Sequence, residues 1–493
     1  MRWGQLGNPS SHWTTGLTSQ WFFPLLLALT VFHWWLSAHL PPAEDELYYW
    51  AWSRQLQWSY YDHPPLVAYL IRISTGIFGQ SLFGIRFFAC LLSTLTLALM
   101  GVLTSEKQIL GCLFFTPLFF IGSILMTPDI PLTFFWVCYA LWMVNINHTL
   151  SQWHDDPITR VYRKMPVSLL RWGMGGVLLG LGCLGKYTML IALPCSLMAF
   201  VSKYRGKAWV TGFVFHCLVG FAVCLPVLIF NIQHDFTPFR FQWAHAMGSF
   251  DFSLKRFFEF VGTQILLVGA LPFLLLPSTL VKSRELCENP RLQICFFFFL
   301  VPLLFFLLQA TKSHVEANWP IVCYLTFWPL AQRLNEQNSF HGIRRLVMIV
   351  SFLVPLATTG LIVLHCLSPL HLVAPGRDRL GKLRAQYTLS EQMARDLNAL
   401  NLKLPVFAPS YQWTSYLRFQ KIAAEQLHPE SRESHFTLVP KNICDERQAI
   451  VLQDAANVPA VLRCLPHQQL IKQYDLVVRG EALGRYQIVK YYR

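Results

Sequence analysis

The sequence predicts a polytopic α-helical membrane protein with about eleven transmembrane helices and a small α/β domain at its C-terminal end. Of its 493 residues, 54% are hydrophobic and only 13% are charged, a balance that soluble domains of this size do not have. Apolar runs long enough to cross a hydrocarbon core of about 30 Å recur between positions 21 and 367. Beyond position 367 the composition becomes polar, which predicts a soluble domain.

The apolar runs predict the individual spans. They lie at 21–40, 83–103, 108–126, 130–147, 168–185, 187–201, 208–231, 257–281, 292–310, 318–334 and 346–367. The first twenty residues contain one basic residue and no cleavage-site pattern, so the run 21–40 predicts a retained helix rather than a signal peptide. The run 66–80 is shorter and contains Arg72, which predicts an amphipathic helix at the membrane interface, within a first outer loop at 41–82.

The distribution of basic residues predicts the orientation. If the N-terminus is cytoplasmic, the inner loops carry about twice as many Lys and Arg residues as the outer loops, in agreement with the positive-inside rule. The net charge of +14 is therefore assigned to cytoplasmic loops and lipid head groups rather than to nucleic acid. The same orientation brings the polar segments "EDE", "NIQHDF" and "TKSHVEANWP" to one outer face.

The C-terminal part, 368–493, predicts a separate domain outside the membrane, after a transmembrane domain at 1–367. Short runs such as "QAIVLQ" and "RYQIVKYYR" predict strands, and "SEQMARDLNAL" predicts a helix. This part contains Cys444 and Cys464, which can form a disulfide if the compartment is oxidising. The other cysteines lie mostly in apolar runs, and no Cys/His spacing predicts a metal site.

The first outer loop contains the first candidate site residues. Glu44, Asp45 and Glu46 follow two prolines that end the first helix, and the aromatic segment "LYYWAW" follows them. Carboxylates held against a low dielectric suit general-base chemistry, although an acidic triplet can also be a solvated helix start. Asp62 and His63 precede two further prolines, which turn the chain back towards the membrane. His63 is either a hydrogen-bonding loop residue or a phosphate ligand.

Other candidate residues lie in the remaining outer loops. Asp129, between two apolar runs, predicts either a functional acid or an N-cap of the next helix. Lys186 is the only charge between 172 and 201, and it is either a lysine that reaches to the membrane surface or a cation for an anionic head group. The remaining candidates repeat this polar and cationic chemistry: His234, Lys312, His314 and Asn318. Together these groups predict a cavity for a lipid-borne anion.

Several segments, in this order, resemble one family. They are "DELYYWAWSRQLQWSYYDHPPLVAYLI", "GIRF", "MTPDIPLTFFW", "GLGCLGKYTML", "NIQHDFTPFRFQWAH" and "NWP". The sequence is similar to the bacterial members of the dolichyl-phosphate-mannose–protein mannosyltransferase superfamily, the PMT/ArnT-like glycosyltransferases. The resemblance implies the GT-C fold, an inner-membrane location, and transfer of a sugar from a polyprenyl phosphate such as undecaprenyl phosphate. The implied acceptor is a lipid such as lipid A, a glycan or a protein on the periplasmic face.

The resemblance also implies roles for matching residues. Asp45 would be the general base, with Glu46 orienting the site, and Asp129 matches the acid of the second outer loop. His63 stands where ArnT has a phosphate-binding lysine, and Tyr48 where ArnT has an arginine. These differences leave Lys186, Lys312 and Arg54 as phosphate contacts. The other residues predicted to bind the donor phosphate or substrate are His63, Asp62, Tyr187, His234, His314 and Asn318.

The implied reaction needs no metal and no cofactor. A sugar phosphate already carries its leaving group, so cationic groups around the phosphate and a carboxylate base for the acceptor suffice, and inversion at the anomeric carbon is expected. The main alternative is a transporter or flippase for a lipid-linked anion, which would place polar groups at mid-membrane. A membrane scaffold is a third class, but it leaves Asp45, Asp129 and Lys186 without a role.

Overall fold

A computed structural model of the chain describes nine ranges of residues. They are 22–104, 114–155, 167–204, 209–247, 251–336, 341–371, 373–400, 403–429 and 432–493. Contacts divide the chain into two units. The first comprises Met1–Trp35, His63–Val67 and Phe87–Gly360, and the second comprises Leu36–Asp62, Ala68–Arg86 and Leu361–Arg493.

Most of the chain before position 368 is helical. Its helices are Phe22–His39, Glu44–Arg54, Leu66–Phe78, Leu82–Leu103, Pro117–Gly122, Asp129–Asp155, Leu169–Gly185, Ala192–Lys203, Val210–Gln233, Thr237–Met247, Leu254–Val268, Leu271–Leu274, Leu276–Val281, Ser283–Glu288, Pro290–Ala310, Ile321–Glu336 and His341–Leu367, with a 3₁₀ turn at Tyr187–Ile191. This confirms a polytopic α-helical architecture.

Six helices among the described residues are long and apolar enough to cross a membrane. They are Phe22–His39, Leu82–Leu103, Asp129–Gln152, Val210–Gln233, Pro290–Ala310 and Ile349–Leu367, and each coincides with a predicted span. Three shorter apolar helices lie at Leu66–Phe78, Leu169–Gly185 and Tyr187–Lys203. The protein is therefore a multi-pass membrane protein, while the number of eleven spans remains a prediction.

Two predicted spans do not form single long helices. The predicted span 257–281 is divided into three helices, because Gly269 adopts a φ of +91° and ends the first of them. Pro272 and Pro277 then lie within the first turns of the next two, where proline is well tolerated. In the predicted span 108–126, part of the chain lies outside the described residues, and the remainder contains only the short helix Pro117–Gly122.

Glycines set the helix packing in the first unit. A Cβ on Gly176 would lie 2.4 Å from the carbonyl oxygen of His216, and one on Gly180 would lie 2.5 Å from Cβ of Val223. The helix Leu169–Gly185 can therefore approach the helix Val210–Gln233 only because these positions have no side chain, a common device between membrane helices.

The C-terminal part of the second unit contains a mixed five-stranded sheet. Its strands are β1 Val406–Ala408, β2 Ala424–Gln426, β3 Gln448–Asp454, β4 His467–Val478 and β5 Glu481–Tyr492, and their order is β2-β1-β3-β5-β4. Strand β1 pairs in parallel with β2 and β3, whereas β5 is antiparallel to both β3 and β4. Helices Arg379–Ala399 and Tyr411–Phe419 accompany the sheet, which confirms the predicted small α/β fold.

A disulfide joins Cys444 to Cys464 beside the core of this sheet, with a Cα–Cα distance of 5.6 Å. The pairing that the sequence left open is therefore present. The boundary between the predicted domains 1–367 and 368–493 remains a prediction.

Candidate active site

The acidic residues of the first outer loop lie in the first turn of the helix Glu44–Arg54. The helix begins after Pro41 and Pro42, and the backbone N–H of Ala43 donates to Oε2 of Glu46 at 2.9 Å. This bond satisfies an amide that the helix itself leaves unpaired. Three acids at a helix N-terminus also interact favourably with the helix dipole.

Glu46 is fixed by Arg86. The Arg86 guanidinium donates to Oε1 of Glu46 at 2.8 Å and to Oε2 at 2.5 Å, and the two side chains are 0% and 1% exposed. Arg86 also donates to the carbonyl oxygens of Ser37, Leu40 and Pro41. Both carboxylate oxygens of Glu46 are therefore bound by a buried cation, and the pair ties the helix to the preceding segment.

Asp45 is exposed, although its neighbour Glu46 is buried. Its Oδ1 accepts a hydrogen bond from the Tyr411 hydroxyl at 3.1 Å. Of the two adjacent carboxylates, Asp45 is the one that a molecule in solution can reach.

Asp62 is buried in a hydrogen-bonded group of residues. The Tyr48 hydroxyl donates to Oδ2 of Asp62 at 2.7 Å and accepts from the backbone N–H of His435 at 2.6 Å. Arg432 forms an ion pair with Oδ1 of Asp62. Burial raises the pKa of Asp62 above its usual range, an effect that the charge of Arg432 offsets only in part.

The aromatic residues of this loop form a packed cluster. The rings of Trp52 and Tyr60 stack with centroids 4.6 Å apart, and Tyr48 contacts Trp52 edge-on at 4.6 Å. All three side chains are at most 1% exposed. They therefore stabilise the loop as a small core.

In the first unit, three predicted site residues come together. The ammonium of Lys186 donates to Oδ1 of Asp129 at 2.7 Å, and the amide of Asn318 donates to Oδ2 at 2.6 Å. The side chains of Lys186 and Asp129 are 9% and 8% exposed. Lys186 is therefore a buried, paired cation and not a lysine that reaches to the membrane surface. Asp129 lies in the first turn of its helix and binds side chains from other segments.

Local sequence explains this arrangement. A Cβ on Gly185 would lie 3.2 Å from Pro131, so the glycine lets the end of the helix Leu169–Gly185 approach the start of the helix Asp129–Asp155 and places Lys186 beside Asp129. On the other side, the Gln264 amide donates to the carbonyl oxygen of Ala317 at 3.0 Å and accepts from the Tyr324 hydroxyl at 2.9 Å. This contact holds the segment that carries Asn318.

A cavity of about 200 Å³ adjoins this cluster in the first unit. Its walls are mostly apolar, and its polar lining consists of Ser93, Thr96, Ser123, Thr127, Asp129, Thr133 and Asn318. An apolar cavity with a few placed polar groups is the usual form of a binding site for an amphiphilic molecule.

The other predicted residues are placed as follows. Arg54 donates to Ser53 and Thr75 and lies 5.2 Å from the centroid of the Trp50 ring. His234 contacts the Phe230 carbonyl oxygen through Nδ1 at 2.8 Å.

The remaining predicted site residues differ in how exposed they are. Lys312 is exposed, and His314 forms an exposed ion pair with Glu316 at 3.6 Å. The Tyr187 ring packs against Phe239, and His63 is half-buried. None of these residues joins the hydrogen bonds of Asp129 within the described residues.

Sequence reasoning missed several residues that hold these clusters. Arg86 lies in the quoted motif "GIRF", where a buried arginine beside an acidic loop is a recognisable signal. Tyr411 and Arg432 are 366 and 370 positions from the aspartates that they bind. No local pattern predicts such contacts.

Comparison with known proteins gives three relevant similarities. The family model described as dolichyl-phosphate-mannose-protein mannosyltransferase matches residues 62–155. The lipid A galacturonosyltransferase RgtD of Rhizobium johnstonii is 26% identical over 369 residues, which is 72% of this chain and 72% of RgtD. The crystal structure of ArnT from Cupriavidus metallidurans bound to undecaprenyl phosphate superposes with a TM-score of 0.63 at 12% identity, over 96% of this chain and 98% of ArnT.

The chain is a membrane glycosyltransferase of the GT-C fold that is similar to the PMT and ArnT enzymes. The apo structure of the same ArnT gives a TM-score of 0.62 at 13% identity, over 95% of this chain and 97% of ArnT. The fold and the enzyme class that the sequence predicted are thereby confirmed. The transporter alternative is set aside, because the sequence relatives of this glycosyltransferase are enzymes that transfer sugars.

Proposed function

We propose that the protein transfers a sugar from a polyprenyl phosphate, such as undecaprenyl phosphate, to lipid A or a related envelope acceptor. Two similar proteins support this choice of substrates. RgtD, which acts on lipid A, supports the acceptor, and ArnT, which binds undecaprenyl phosphate, supports the donor. The observation on this chain that carries the proposal is the contrast between Asp45 and Glu46. One acid is exposed, and the other is held by a buried arginine.

In the proposed reaction, Asp45 is the general base. Its carboxylate takes the proton of an acceptor hydroxyl, and the acceptor oxygen attacks the anomeric carbon of the donor sugar. The bond between that carbon and the phosphate oxygen of the carrier breaks, and its electron pair leaves with the polyprenyl phosphate. A single displacement of this kind inverts the anomeric configuration.

The Lys186 cluster is the proposed site for the donor phosphate. An ammonium has three N–H donors, of which Asp129 takes one at 2.7 Å. The carboxylate orients the Lys186 ammonium, so that its remaining N–H groups can bind phosphate oxygens and stabilise the departing anion. The adjoining cavity suits part of the isoprenoid chain. His63, Lys312 and Arg54 remain proposed as further phosphate contacts.

We also propose that the protein lies in the bacterial inner membrane with its N-terminus in the cytoplasm. The bias of Lys and Arg among the loops supports this orientation. The disulfide Cys444–Cys464 supports a periplasmic position for the C-terminal domain, because disulfides persist in oxidising compartments.

The experiment that tests the proposal is mass spectrometry of lipid A and other envelope glycans from a strain lacking the gene. We expect the loss of one glycosyl unit from lipid A or a related envelope lipid, and the missing mass identifies the sugar. Restoration by the wild-type gene, but not by the Asp45→Asn variant, is the expected control. An unchanged set of envelope lipids and glycans would contradict the proposal.

A further inference from the structure

Two side chains from the C-terminal part of the second unit lie next to the proposed base. Tyr411 is the first residue of the helix Tyr411–Phe419, which Ser410 caps by accepting from the backbone N–H of Trp413 at 3.4 Å. The cap fixes the start of the helix, and from there the Tyr411 hydroxyl donates to Oδ1 of Asp45 at 3.1 Å. The two residues are 366 positions apart in the chain.

Tyr411 is suited to act as a constant hydrogen-bond donor. Burial, together with the negative charge of Asp45, raises the pKa of Tyr411 well above its usual range. The phenol therefore stays protonated wherever the enzyme works. A hydrogen bond donated to a carboxylate favours the charged form, which is the form that a general base requires.

Arg432 links Tyr411 to the second aspartate of the loop. Its guanidinium carbon lies 4.9 Å from the centroid of the Tyr411 ring, and its NH2 group pairs with Asp62. Arg432 therefore restrains the Tyr411 ring by a cation–π contact. Its positive charge also acts against burial and the charge of Asp45, which together raise the pKa of Asp62.

The charged and titratable groups around Asp45 come from every element packed nearby. They are Glu44 and Glu46 on the same helix, Arg86 that pairs with Glu46, Asp62 further along the loop, and Tyr411, Tyr416 and Arg432 from the C-terminal part. Of these groups, Tyr411 donates a hydrogen bond to Asp45, at 3.1 Å.

We propose that Tyr411 and Arg432 are positioning residues for Asp45, so that the C-terminal domain completes the part of the active site that activates the acceptor. This inference rests on the proposed function of Asp45. Tyr411 orients the carboxylate and stabilises its charge, and Arg432 orients Tyr411 and balances Asp62. The C-terminal domain thereby contributes to catalysis as well as to stability.

The test is the pH dependence of kcat/KM for the Tyr411→Phe variant of the full-length enzyme, with a polyprenyl-phosphate-linked sugar as donor. Loss of the hydrogen bond raises the pKa of Asp45, so the acidic limb of the profile moves to higher pH by about one unit. At the acidic pH values of the limb, kcat/KM of the variant is lower than that of the wild type, while on the alkaline plateau the two values converge. A merely structural defect would lower the rate equally at every pH.

The chain offers a matched control. Tyr416 lies on the same helix and is 1% exposed, and within the described part of the chain its hydroxyl has no hydrogen-bond partner. Tyr416→Phe therefore removes the same atom near Asp45 without removing a hydrogen bond, and its pH profile should match the wild type. Arg432→Gln, at a side chain that is 45% exposed, should shift the acidic limb to higher pH, as Tyr411→Phe does. Arg432→Lys keeps the positive charge and should shift the limb less.

The outcomes separate this inference from the proposed function. Suppose that Asp45→Asn is inactive, but that the acidic limb of Tyr411→Phe stays at the wild-type pH or its rate falls by the same factor at every pH. The inference is then wrong, and the role of Asp45 stands. If Asp45→Asn keeps the wild-type rate, the proposed base and this inference both fail.

Discussion

Lys186 donates to Asp129 at 2.7 Å, and both side chains are less than a tenth exposed. A buried cation without a partner is costly, so the carboxylate accounts for the presence of a lysine in an otherwise uncharged stretch. The same carboxylate also accepts from Asn318 at 2.6 Å, so Lys186 and Asn318 both donate to Asp129, and Lys186 is the cation of the cluster.

The first prediction concerns Lys186 and the donor. We expect Lys186→Met to raise KM for the polyprenyl-phosphate donor by about tenfold or more, because a hydrogen bond to a charged group is lost. KM for the acceptor should not change. Lys255→Met is the control, since Lys255 is 84% exposed and pairs only loosely with Glu259 at 3.9 Å. Equal changes in the two KM values would indicate a structural role for Lys186.

The second prediction concerns Glu46. We expect Glu46→Gln to lower the free energy of unfolding by about 3–5 kcal/mol, because it leaves the buried Arg86 without a counter-charge. The double variant Glu46→Gln, Arg86→Met should recover part of that loss, since the unpaired charge is then removed. Thermal unfolding of the purified enzyme in detergent measures both. If the double variant is as unstable as the sum of the single changes, the two side chains do not act as a pair.

The third prediction concerns Asp62 and pH. Because burial raises the pKa of Asp62, the folded protein binds a proton more tightly than the unfolded chain. This residue's contribution to stability is therefore most favourable at or below the ordinary aspartate pKa of about 4, and it falls as the pH rises through the raised pKa.

The comparison that isolates this effect uses Asp62→Asn, which cannot titrate. The difference in Tm between the wild type and Asp62→Asn should decrease as the pH is raised from about 4, and then level off. Parallel curves of Tm against pH would mean that Asp62 titrates equally in the folded and unfolded states.

The fourth prediction concerns the orientation of the C-terminal domain. In intact cells, Cys444 and Cys464 should react with a membrane-impermeant maleimide only after reduction, because the disulfide protects both thiols. Replacing both by serine should remove this labelling. Labelling that requires permeabilised cells would place the domain in the cytoplasm and contradict the proposed orientation.

The sequence predicted the parts of this structure that depend on local patterns. Long apolar runs gave the six long helices, and the outer-loop acids and Lys186 stood out because charge in an apolar chain is costly. The break at Gly269 was missed, because apolar length alone predicts one span at 257–281, although Gly269, Pro272 and Pro277 are residues that commonly end or begin helices.

The candidate site was predicted only in part, for a related reason. The pairing of Lys186 with Asp129 depends on Gly185, whose missing side chain allows the close approach. The contacts of Tyr411 and Arg432 with the first loop join distant parts of the chain. Only the folded chain brings them together, so their positions in the sequence gave no sign of a role.

The central claim is that the exposed carboxylate of Asp45 activates the acceptor. Its most direct test is the single-turnover rate of purified Asp45→Asn with an undecaprenyl-phosphate-linked sugar and a lipid A acceptor. We predict a rate about 10²–10⁴ times lower than that of the wild type, with donor binding and Tm unchanged. A wild-type rate in this variant would contradict the account.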